Sequence, residues 1–139
     1  MANSNTQYLL DTNIVIEYLR HNTVVADKIK SVGVDNCAIS VITVHKLYWG
    51  VYEAPEKYFI SELSKVEIIK KYFDIIPLPE NDSYAKTKSS LKKKGEMVDD
   101  FDILIAATAM QNNMVVVTDN LCHFERINGI SIENWVYRQ

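Results

Sequence analysis

Asp99, Asp100 and Asp102 crowd the entrance to an apolar, helix-like run, Ile103-Leu104-Ile105-Ala106-Ala107, and Asp11 closes another apolar run, Tyr8-Leu9-Leu10. Asp119 and Asn120 follow a third, Met114-Val115-Val116-Val117-Thr118. Clustered carboxylates supply the hard oxygen ligands that Mg²⁺ and Mn²⁺ prefer. Ions held in this way lower the pKa of a bound water, orient it and neutralise charge on a phosphodiester as the leaving oxygen departs. Hydrolysis of a phosphodiester is therefore the chemistry these residues could do together. Each also has a plainer use alone. Asp11, Thr12 or Asn13 can cap a helix, acids at a helix start meet the positive end of its dipole, and Asp119 and Asn120 suit a turn. Three acids within four positions exceed what a cap needs, and their mutual repulsion calls for a counter-ion.

Other chemistries find less support. His21, His45 and His123 match no zinc spacing and no Ser- or Cys-nucleophile motif. A lone histidine such as His123 reads as a surface or satisfied core residue. The four glycines are scattered and build no phosphate-cradling loop.

Short β-branched runs alternate with stretches of helical period, and these must position the acids. Strands are predicted at residues 8–10, 37–40, 75–78, 114–118 and 130–132. Helices are predicted at 14–20, at 24–31 ending on Gly33, and at 44–53 stopped before Pro55. Further helices follow over 56–73, from a cap at Asn81 or Asp82 to Lys94 and Gly95, and over 102–111. The unbroken run 114–118 suits a parallel sheet covered on both faces. The pattern predicts an α/β fold with a mostly parallel sheet. In such sheets the ligand crevice lies beyond the carboxyl ends of the strands, where Asp11, Ser40, Thr118 and Asp119 fall.

A chain of 139 residues suits a single domain, 1–139, able to bury its own core. With 47% hydrophobic and 24% charged residues and a net charge of −3, overall charge does not announce a nucleic-acid binder, so local clustering must carry that case. Two cysteines, Cys37 and Cys122, fit a reduced chain. No run approaches a membrane span, and a cytoplasmic location with no membrane partner is expected.

Several spaced motifs together resemble the PIN domain family. They are Leu9-Leu10-Asp11-Thr12-Asn13; Ser40-Val41-Ile42-Thr43 with Leu47 and Gly50; Asp100-Phe101-Asp102-Ile103-Leu104-Ile105-Ala106-Ala107; and Val117-Thr118-Asp119-Asn120 with Phe124-Glu125-Arg126. The closing Gly129-Ile130-Ser131-Ile132-Glu133-Asn134-Trp135 is similar to the tails of VapC-type toxins within that family. The match spans nearly the whole chain in order. The resemblance implies a three-layer α/β/α fold with a mostly parallel four- to five-stranded sheet. It implies a Mg²⁺- or Mn²⁺-dependent endoribonuclease acting as the toxin of a type II toxin–antitoxin pair, a VapB-type antitoxin as partner, and a homodimer. Carried over, it makes Asp11 and Asp102 the principal metal ligands, Asp100 an accessory catalytic acid, and Asn120 or Asp119 the last polar position.

One position departs from the family pattern. A Glu usually stands three residues beyond the Thr of the Val-Ile-Thr stretch, and here that place is held by Lys46, with the register around it unbroken. An uncompensated ammonium about 4–6 Å from a divalent ion could cost several kcal/mol at an effective dielectric of roughly 20. Alternatively, Lys46 could pair with Asp11 or Asp102 and fill the metal's place. Three accounts stay open: an inactivated variant, a degenerate toxin that binds its partner without cutting, or compensation by Asp99, Asp100 and Asp119. The alternative to a nuclease is thus a catalytically silent protein that binds antitoxin or RNA.

Two surfaces complete the reading. Lys86, Lys88, Lys92, Lys93 and Lys94 lie on the helix leading into the acidic segment, and Lys92, Lys93 and Lys94 are the candidates for RNA phosphates. Tyr48, Trp49, Tyr52, Tyr58 and Phe59 form an aromatic cluster suited to core packing or to a groove for an antitoxin segment.

Overall fold

The computed structural model describes residues 6–136. The chain alternates strand and helix: β1 (Gln7–Leu10), α1 (Thr12–Leu19), α2 (Thr23–Val32), β2 (Cys37–Ser40), α3 (Val41–Glu53), α4 (Phe59–Tyr72) and β3 (Asp74–Ile76). It continues through α5 (Ser83–Lys93), α6 (Asp100–Gln111), β4 (Met114–Val117), α7 (Leu121–Phe124) and β5 (Ile132–Glu133). Every strand pairing is parallel, and the order is β3-β2-β1-β4-β5.

The two-residue alternation of the strands divides the core between the two faces of the sheet. Leu10, Ile39 and Val117 pack on one side with Ile14, Ile29, Leu47 and Val66 from α1 to α4. Leu9, Ala38 and Val116 pack on the other with Leu91 of α5 and Ile103, Ile105 and Ala109 of α6. The result is the three-layer arrangement expected. β1 lies in the middle, the chain building outward to β2 and β3 on one side and to β4 and β5 on the other. That reversal of direction opens a crevice between the carboxyl ends of β1 and β4.

Several boundaries differ from those predicted. α3 begins at Val41 rather than residue 44, because Ser40 Oγ accepts from Ile42 N at 3.0 Å and starts the helix directly from the strand. α6 begins at Asp100, two residues early, since Asp99 Oδ2 accepts from Phe101 N at 3.1 Å. β3 ends at Ile76, before Pro77, which cannot donate to the ladder. The last strand lies at Ile132–Glu133 instead of 130–132. The four-residue helix α7 was not anticipated. Gly33, at φ 93°, closes α2 as expected. Both cysteines are free, and burial pushes the Cys37 thiol up to about 12. Among the described residues no helix is long and apolar enough to cross a membrane.

Candidate active site

The carboxyl edge of the sheet gathers most of the buried polar side chains. Asp11, Thr12, Ser40, Thr43, Asp102 and Thr118 are all buried there or at the helix starts beside it. Three helices direct their N-termini at this edge, α1 capped by Asp11, α3 by Ser40 and α6 by Asp99. Their unsatisfied N–H groups and dipoles favour negative charge in the space between them.

Asp11 is held from two sides. Its Oδ1 accepts from Thr12 N at 2.8 Å, and its Oδ2 accepts from Thr118 Oγ1 at 2.8 Å, tying the end of β1 to the end of β4. Thr118 Oγ1 in turn accepts from Asn120 N at 2.9 Å. Thr12 Oγ1 meets Thr43 Oγ1 at 3.1 Å, which joins α1 to α3 beneath the site. Burial raises the Asp11 carboxyl above its ordinary value; the hydrogen bonds from Thr118 and Thr12 act the other way. Asp102 raises it further and Lys46 lowers it, so both charges are felt at Asp11.

Asp102 enters from α6, on its first turn, and is only 6% exposed. His123 Nδ1 lies 3.1 Å from its Oδ2, and Asn120 Nδ2 lies 3.4 Å from the same oxygen and 2.8 Å from His123 Nδ1. A protonated Nδ1 donates to Asp102, whereas a bare Nδ1 accepts from Asn120, so the tautomer decides how these bonds are shared. His123, read from the sequence as a bystander, thus borders the site. Its signal was weak because α7 is too short to show a period; the spacing from Asn120 by one helical turn was the only trace.

The three acids at the mouth of α6 have three different tasks. Asp99 caps the helix, and Asp102 points into the site. Asp100, expected as an accessory acid, is instead half-exposed and accepts from Tyr84 Oη at 2.8 Å and Lys88 Nζ at 2.9 Å. These bonds, Lys88 first, hold its carboxyl below the usual range. Asp119 is exposed and accepts from Asn13 Nδ2 at 3.2 Å. Compensation for Lys46 by Asp99, Asp100 and Asp119 therefore has no support in these contacts. Among the described residues no group of three or more His, Cys, Asp or Glu side chains is placed to share a metal ion.

Lys46 does not pair with Asp11 or Asp102, since no described ion pair within 4.0 Å includes it. Its Nζ sits 5.9 Å from the centroid of the Phe101 ring. On α5, Lys92 and Lys93 are exposed, whereas Lys94 Nζ donates to the Arg126 carbonyl at 3.3 Å and Lys88 is committed to Asp100. The aromatic cluster divides. Tyr48 hydrogen-bonds Glu67 and accepts from Lys70 Nζ at 2.7 Å, and Phe59 packs edge-on against Tyr52. Trp49 and Tyr52 are 68% and 72% exposed, an apolar surface on α3.

The PIN domain model matches residues 8–129 of the chain. Ribonuclease VapC2 of Haemophilus influenzae is 30% identical over 138 residues, covering 94% of this chain and 98% of the relative. The tRNA(fMet)-specific endonuclease VapC of Salmonella typhimurium is 29% identical over 136 residues, covering 93% of this chain and 98% of the relative. Among solved structures, the VapBC2 complex of Rickettsia felis, bound to a DNA fragment from its promoter, includes a similar chain. It superimposes with a TM-score of 0.85 at 28% identity, covering 94% of this chain and 99% of that one.

Proposed function

The chain belongs to the PIN domain family, and from that premise we propose that it is a metal-dependent endoribonuclease, the toxin of a type II toxin–antitoxin pair. The observation that carries the reading is the buried pair Asp11 and Asp102, brought to one sheet edge in a chain similar to VapC ribonucleases along nearly its full length. Similarity to the toxin of a solved VapBC complex supports a VapB-type antitoxin as partner. The protein acts in the cytoplasm as a single PIN-like domain and forms a homodimer.

The donor set fits one hydrated divalent ion. Mg²⁺ keeps several waters and needs only one or two carboxylates, and each oxygen of Asp11 has a lone pair beyond the bond it already accepts. Asp11 and Asp102 would hold Mg²⁺ or Mn²⁺, which when bound supplies an acidified water and positive charge for the phosphate. The rest falls to the chain. Thr12 and Thr118 fix Asp11, and Asn120 and His123 orient Asp102, as outer partners do for metal ligands. The helix starts around the edge favour the phosphate's charge. Lys92 and Lys93, on the exposed face of α5, meet the RNA backbone.

Lys46, and the absence among the described residues of a third side chain placed to share the ion, favour a second reading, a silent protein that binds antitoxin or RNA without cutting. Induced expression in a bacterial host separates the two. The nuclease reading expects growth arrest that Asp102→Asn relieves and that co-expression of a small protein encoded immediately upstream also relieves. Normal growth with the folded chain accumulating would favour the silent reading.

A further inference from the structure

We propose that Lys46 is a built-in phosphate anchor, its ammonium holding an oxygen of the RNA phosphate above Asp11 and Asp102 so that the site works with one divalent ion. This rests on the nuclease reading and gives its unusual residue a task.

The placement comes first. Lys46 stands three residues beyond Thr43 on α3, and Thr43 meets Thr12 beside Asp11. Residues three apart share a helix face, so Lys46 lies on the site's side of α3. Its charge reaches Asp11, yet no described ion pair includes it. The ammonium is therefore close to the acids without being neutralised by them. The Phe101 ring, next in sequence to Asp102, has its centroid 5.9 Å from the Lys46 Nζ, a cation–π contact that leaves all three N–H donors for another partner.

Charge balance points the same way. Asp11 and Asp102 together offset one divalent ion, and Asp100 is already matched by Lys88. Lys46 then leaves one surplus positive charge, the complement of a single phosphodiester. A carboxylate at 46 would leave the same site negative, so that a phosphate could approach only with further cations present. Lys46 also lines a groove of about 280 Å³ with Arg20 and Lys65, which are paired to Glu17 at 3.8 Å and to Glu62 at 2.6 Å, so that of the three cations only Lys46 is outside the described ion pairs.

The test uses the full chain and an RNA oligonucleotide methylated at every 2′-oxygen, with binding read by fluorescence anisotropy in Ca²⁺, a divalent ion that takes carboxylate oxygens. Lys46→Met should weaken this binding about tenfold, as expected for loss of a charge-assisted hydrogen bond, and Lys46→Arg should restore most of it. Calorimetry with Mn²⁺ alone should find one ion per wild-type chain and tighter or additional binding to Lys46→Glu. Equal RNA affinity for wild type and Lys46→Met, or two Mn²⁺ ions per wild-type chain, would overturn the anchor. If the wild type binds and cuts RNA while Lys46→Met binds equally well, the anchor alone fails. If the wild type binds no RNA at all, the nuclease reading has failed and the anchor falls with it.

Discussion

At Asp11 burial and ionisation pull in opposite directions. Burial lifts its carboxyl above the ordinary value, with the nearby Asp102 adding to the rise. For an acid raised in the folded state, stability is fullest at low pH and falls as pH climbs through the folded value, because ionisation is dearer inside than outside. In metal-free protein Asp11→Asn should therefore raise stability at neutral pH and flatten its decline above pH 4. A gain on the order of 1 kcal/mol would appear as roughly 3–5 °C in Tm; a lower Tm would contradict this. Asp11 and Asp102 were legible in the sequence because each follows or opens an unmistakable apolar run. His123 was not, since its partner Asp102 lies 21 residues away and only the packing of α7 against α6 brings them together. The outward turn of Asp100 was equally hidden, because it depends on Lys88 and Tyr84 across a separate helix.

The elements that carry the site are positioned by their caps. Asp99 starts α6 so that Asp102 falls on its first turn, and Ser40 starts α3 so that Thr43 and Lys46 face the crevice. Asp99→Ala should cost about 1 kcal/mol by thermal or urea unfolding, with Asp11 and Asp102 left in place; a change under a few tenths would show the cap to be dispensable. The sequence located α6 but started it late, since an aspartate reads equally well as a cap or as a first-turn residue. It started α3 late for another reason: Val41, Ile42, Thr43 and Val44 are β-branched and suit a strand as well as a buried helix. Tertiary burial decides that case.

Across the whole molecule, the sheet order places β1 and β4 side by side although more than a hundred residues separate Asp11 from Thr118. Alternating strand and helix made the parallel sheet legible, but no local signal states which strand sits in the middle. The far edge is secured by Trp135, buried against Tyr8 with ring centroids 5.1 Å apart and its Nε1 donating to Glu133 Oε1 at 2.9 Å. Trp135→Ala should cost about 3–5 kcal/mol. A loss below 1 kcal/mol in urea unfolding would mean that the β5 segment contributes little to the fold.

The central claim is that Asp11 and Asp102 form a metal-dependent RNA-cleaving site in this chain. The most direct measurement incubates the full chain with RNA in Mg²⁺, Mn²⁺ or EDTA beside Asp11→Asn and Asp102→Asn. The account predicts cleavage with either ion, none in EDTA, and a loss of about a hundredfold or more in each variant, beyond the cost of losing an outer partner alone. Intact RNA with folded wild-type protein under every condition, or undiminished cleavage by Asp102→Asn, would contradict it.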